Sequence, residues 1–155
     1  MLIDYEERFY YKLAQRKKEL VANNYILARE IAAWKRRVSA AWDSVMILDS
    51  QRVRVDKESM VLGEKYHFEV KLDVATLSPE EVGVEIVVAK QMVGQQSPDV
   101  ILTEQLQLVS TEGNVAVYAL DLTPNRTGAF DIALRVYPKN EKLPYRMDFA
   151  LVKWA

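Results

Sequence analysis

Tyr66-His67-Phe68-Glu69-Val70-Lys71-Leu72-Asp73-Val74 alternates apolar and polar side chains without interruption. Successive side chains of an extended chain leave opposite faces, so this stretch reads as a strand with one buried and one wet face. Toward the C-terminus Phe130, Ile132, Leu134 and Val136 repeat the pattern, as do Val100, Leu102, Leu106 and Leu108. Val45–Val55, Val82–Val88, Val115–Leu122 and Met147–Trp154 are further strand candidates, making about seven in all. The breaks between them have turn chemistry: Leu62-Gly63-Glu64, Ser78-Pro79-Glu80-Glu81, Glu112-Gly113-Asn114, Pro124-Asn125-Arg126-Thr127-Gly128 and Pro138-Lys139-Asn140. None has room for the roughly twelve residues of a parallel crossover, so an antiparallel, immunoglobulin-like β-sandwich is expected. Its longest loop is expected at Ala89–Pro98.

Upstream of these strands the period changes from two to helical. Residues 1–42 hold no Gly or Pro, whereas all five of each fall between Gly63 and Pro144. The first 42 residues carry nine Lys/Arg against five acids, a net of +4, and the remainder twelve against seventeen, a net of −5. Leu2, Tyr5, Phe9, Leu13 and Leu20 fall at steps that share one helical face. Asn23-Asn24 interrupts them, and Asn is a preferred N-cap, so a second helix is expected to start there with Leu27, Ile31, Trp34, Val38 and Ala41 as its stripe. The expected class is α+β: a two-helix strap or linker over 1–42, then a β-sandwich domain over 43–155.

The 155 residues contain 21 basic and 22 acidic side chains, no cysteine and the single histidine His67. This balance lacks the overall basic field of a nucleic-acid binder. Without cysteine there is no disulfide, thiolate metal site or cysteine nucleophile. No stretch approaches the roughly 18 consecutive apolar residues of a membrane span. The opening Met1-Leu2-Ile3-Asp4-Tyr5-Glu6-Glu7 lacks the pattern of a secretory signal. A soluble protein in a reducing, cytoplasmic setting is expected, with the sequon Asn125-Arg126-Thr127 a coincidence.

No enzyme site is legible. A serine nucleophile needs a base, and His67 stands on the polar face of a strand without a Gly-x-Ser-x-Gly elbow. Neither G-x-G-x-x-G nor G-x-x-x-x-G-K-[ST] occurs. Glu6-Glu7 and Glu80-Glu81 are sequence neighbours whose side chains diverge, so they do not form a shared proton site. The acids match no calcium loop. Catalytic, cofactor-binding and metal residues are therefore expected to be absent.

Three features remain that can bind. Arg16-Lys17-Lys18 and Lys35-Arg36-Arg37 splay around a helix and read as solvated faces. Tyr118, Tyr137, Tyr145 and Trp154 read first as strand packing, with stacking of sugar rings as the functional reading and Tyr137 and Trp154 as its candidates. Tyr5, Phe9, Tyr10 and Tyr11 put apolar character on several helical faces, more than a two-helix appendage can cover by itself. Burying a large apolar side chain is favourable by about 1.5–3 kcal/mol, so Tyr5, Phe9, Leu13 and Leu20 are the candidate interface. With no cap before Leu2 and no tail after Trp154-Ala155, the chain reads as the end of a longer protein.

At this point a resemblance emerges. Ala28-Arg29-Glu30-Ile31-Ala32-Ala33-Trp34-Lys35-Arg36-Arg37-Val38, followed by Ala40-Ala41-Trp42, resembles the linker helix near the C-terminus of bacterial-type α-glucan (glycogen/maltodextrin) phosphorylases. Leu77-Ser78-Pro79-Glu80-Glu81-Val82-Gly83-Val84-Glu85 is similar to that family's strand entry, and Tyr10-Tyr11-Lys12-Leu13-Ala14 to its upstream helix. Leu134-Arg135-Val136-Tyr137-Pro138, Leu143-Pro144 and Leu151-Val152-Lys153-Trp154-Ala155 resemble its end. Asp43-Ser44 and Lys139-Asn140 stand where the family's Pro-Gly and His-Pro are expected.

The resemblance implies the noncatalytic C-terminal region of such a phosphorylase. Pyridoxal phosphate and the glucan site would then belong to upstream catalytic domains of the same polypeptide, which phosphorolyse α-1,4-glucan to glucose 1-phosphate. None of their residues has a counterpart in this chain. Two alternatives stand beside it: a carbohydrate-binding sandwich, and a free-standing protein that homodimerises through its N-terminal helices.

Overall fold

With no Gly or Pro to stop it, the first region folds as one helical element, α1, over Tyr11–Trp42. The computed structural model describes residues 11–52, 63–90, 97–124 and 130–155. The chain divides into two compact units, Met1–Ser39 and Ala40–Ala155. Inside α1, Ala22 is extended, and Asn23, Asn24 and Tyr25 are left-handed with φ of 50°, 57° and 60°. The expectation of two separate helices is corrected accordingly. One element runs through, and the asparagines, which tolerate left-handed backbone, form a kink within it rather than the cap of a second helix. Beyond the kink the expected stripe holds: Leu27 and Ile31 are half-buried, Trp34, Val38 and Ala41 buried. No described helix is long and apolar enough to cross a membrane.

The second unit holds eight described strands, all paired antiparallel. They are β1 (Met46–Arg52), β2 (Tyr66–Asp73), β3 (Val82–Lys90), β4 (Asp99–Gln105), β5 (Gln107–Glu112), β6 (Val115–Leu122), β7 (Asp131–Pro138) and β8 (Lys153–Trp154). One sheet has the order β1-β2-β6-β5 and the other β4-β3-β7-β8. The stretch 66–74 is β2, with Tyr66, Phe68, Val70 and Leu72 buried on one face as the alternation requires. β3 is buried on both faces from Val82 to Ala89, and Val84, Ile86 and Val136 are fully enclosed.

Two strand readings are corrected. Val100–Leu108 is not one strand: β4 ends at Gln105 in one sheet and β5 begins at Gln107 in the other. Leu106 lies at the crossing, 2% exposed, and its N–H donates to the Val84 carbonyl at 2.8 Å. This split adds the eighth strand. Met147–Trp154 yields only β8, because Arg146–Asp148 forms a 3-10 turn.

The loop expected at Ala89–Pro98 starts later, since Ala89 and Lys90 complete β3; residues 91–96 lie outside those described. Residues 125–129, with the sequon, lie outside them too. Register shifts in the outer strands put Leu48 and Val109 at bulges, which is why these apolar side chains are exposed. Gly113, at φ +58°, lets β5 turn tightly into β6.

Candidate functional site

The chemistry of the second unit gathers on the β3–β7–β8 face, and Gly83 is where it starts. Gly83 and Tyr137 are register partners on β3 and β7. The Tyr137 ring lies so close to the strand that a Cβ at Gly83 would be 2.5 Å from its Cζ. Only glycine leaves room for the ring to lie flat there. Two residues further along, Glu85 faces Arg135 across the same strand pair.

Glu85 is 5% exposed and the sole buried charged side chain among the described residues. Arg135 Nε and Arg146 Nη1 donate to its Oε1, and Arg146 also reaches Oε2. A buried carboxylate without such donors is costly, so the pair of guanidiniums is what permits Glu85 inside the sheet. Two cations against one anion leave this cluster at net +1.

The same arginines stack on the aromatic candidates. The Arg146 guanidinium carbon stands 5.2 Å from the Tyr137 ring centre, and that of Arg135 is 5.4 Å from the Trp154 ring. Burial, and after it the Glu85 charge, pushes the Tyr137 phenol above its ordinary range. Arg135, Tyr137, Arg146, Met147, Val152 and Trp154 all line one groove of about 140 Å³. Tyr137 and Trp154 are thus brought to a single place. Tyr137 is held between Gly83 and Arg146, leaving it 9% exposed, whereas Trp154 is 54% exposed.

Of the helical interface candidates, Leu13 is 64% exposed and Leu20 half-buried on α1, while Tyr5 and Phe9 lie outside the described residues. Arg16 bridges Glu19 at 3.2 Å one turn on, a surface pairing. Tyr118 donates its hydroxyl to the Pro79 carbonyl at 2.7 Å, and Tyr145 is exposed. His67 Nδ1 meets Asp121 Oδ1 at 2.7 Å on the outer face of β2 and β6, and Lys65 meets the other Asp121 oxygen at 2.7 Å. Lys65 first, and His67 after it, hold the Asp121 carboxyl below its ordinary value.

Sequence reasoning missed Gly83, Glu85, Arg135 and Arg146 as one constellation. The available signal was Glu85 itself, a lone carboxylate in an otherwise apolar strand. No residue lining the groove is a Lys, so it offers no imine-forming amine. Pyridoxal phosphate therefore does not fit it. Lys153, beside the groove in sequence, donates to the Asp43 and Val45 carbonyls. No His/Asp/Glu group among the described residues is arranged to hold a metal.

Comparison with known proteins bears on this chain end to end. The family model described as "Glycogen phosphorylase C-terminal domain" matches residues 42–155. Maltodextrin phosphorylase of Thermococcus litoralis is 28% identical over 157 residues, covering 99% of this chain and 18% of that protein. Glycogen phosphorylases of Mycobacterium tuberculosis and Mycobacterium bovis are each 24% identical over 155 residues, 100% of this chain and 18% of theirs.

Proposed function

The chain belongs to the glycogen phosphorylase C-terminal domain family, and from that premise we propose that it serves as the noncatalytic C-terminal region of an α-glucan phosphorylase. It spans 18% of the length of the curated relatives it matches, so most of an equivalent enzyme would be other chain. On this reading that other chain holds pyridoxal phosphate and performs the phosphorolysis of α-1,4-glucan to glucose 1-phosphate, in the cytoplasm. The observation that carries it is the family match over 42–155, joined to relatives aligned across the whole chain.

Residues 1–42 act as a strap toward the catalytic body and 43–155 as a structural domain. Exposed Tyr11, Leu13, Val21 and Ile26 on α1 support the strap, being apolar groups that a partner surface would shield. The strand orders β1-β2-β6-β5 and β4-β3-β7-β8 support an immunoglobulin-like sandwich, in which A-B-E-D forms one sheet and C-F-G the heart of the other. The purified chain, mixed with pyridoxal phosphate, phosphate and maltooligosaccharide, is expected to form no glucose 1-phosphate. Turnover above the protein-free control would overturn the assignment.

A further inference from the structure

We propose that the groove between Arg135, Arg146 and Trp154 is a docking site for an acidic segment with an apolar anchor, supplied by the remainder of the same polypeptide. This rests on the phosphorylase reading above. The groove's walls are apolar, and two of them are open to solvent: Met147 is 73% exposed and Trp154 54%. Its charged lining is guanidinium alone, and Glu85 neutralises only one of the two charges. Both arginine side chains keep some exposure, 20% for Arg135 and 35% for Arg146.

Charge complementarity thus calls for an occupant that brings a carboxylate beside a hydrophobic group. A neutral glucan is the poorer fit. Sugar hydroxyls need acceptors as well as donors, whereas the charged lining offers guanidinium donors alone, and Tyr137 is buried, leaving Trp154 as the one open ring in the groove. β8 adds a second means of capture. Among the described strands it is the outer one of its sheet, paired to β7, so an extended segment can hydrogen-bond to its two residues, Lys153 and Trp154, while its side chains enter the groove.

The test is oxidative footprinting of Met147 and Trp154 by hydroxyl radicals and mass spectrometry. The isolated chain is compared with the full-length polypeptide that carries it, since oxidation follows exposure. Several-fold slower oxidation of both residues in the longer polypeptide is expected, and Met147→Asp should abolish the slowing at Trp154 by placing a like charge beside the acidic segment. Slowing confined to Tyr11 and Leu13 of α1 would sink the docking site yet leave the phosphorylase reading intact. No slowing anywhere on the chain would remove both. Slowing in the isolated chain that grows with its concentration, or that appears on adding maltoheptaose, would give the groove to a second copy or to glucan and overturn the proposal.

Discussion

A methyl group added at Gly83 would stand 2.5 Å from the Tyr137 Cζ, far inside contact distance, and the neighbour that must yield is a buried aromatic clamped by Arg146. Gly83→Ala is therefore expected to destabilise the chain by about 1–3 kcal/mol, the usual range for overfilling a close-packed site, as read from urea unfolding. Tyr118 supplies a second residue-level test. Burial, and then the Glu80 charge, holds its phenol above the ordinary value of 10.0. The folded state thus keeps that proton more tightly than the unfolded chain does. The resulting stability is whole below pH 10 and is lost as the pH climbs beyond it. Tyr118→Phe should be less stable at neutral pH, for want of the bond to Pro79, yet lose less stability between pH 9 and pH 11, roughly the span over which a tyrosine titrates. Equal alkaline losses in both proteins would count against this assignment. At this scale the sequence was a partial guide. Tyr137 and Trp154 were visible as aromatic candidates, but the Glu85 cluster joins β3, β7 and the turn at 146, and no local pattern announces such a meeting.

The kink in α1 depends on residues that accept left-handed backbone, and two of the three are asparagine. Alanine in that conformation costs about 1–2 kcal/mol per residue, while in a helix it is the most favoured residue. The double variant Asn23→Ala, Asn24→Ala should therefore straighten the element and deepen the circular dichroism band at 222 nm. An unchanged band would mean that Tyr25 and its surroundings, rather than the asparagines, impose the bend. The asparagine pair was legible as an interruption, but a cap and a kink share that signature, and only the dihedral angles separate them. Likewise the alternation over Val100–Leu108 contained its own warning. Glu104 stands where the apolar series would continue, and the chain changes sheets two residues later. The expected strand Met147–Trp154 is too long for a related reason: β8 keeps only Lys153 and Trp154, because Arg146 is drawn into the turn that reaches Glu85.

For the molecule entire, antiparallel sheets followed from turn lengths too short for crossovers, whereas strand order did not, because pairing is decided by contacts remote in sequence. The family relation was legible from ordered blocks along the chain, including the segment around Gly83 and Glu85 that proves to organise the groove. If the domain's role is structural, titrating glycogen against tryptophan fluorescence should give no saturable change, although Trp154 is placed to report one. A saturating response would transfer the assignment to the carbohydrate-binding alternative. Leu106 has a mechanical consequence for the fold. One residue carries the chain between sheets and is anchored to Val84 of β3 by its own amide. Sliding either sheet by a single step would have to drag this anchor along, so an insertion in β4 should disturb β5 as well. The crossing acts as a rivet against shear.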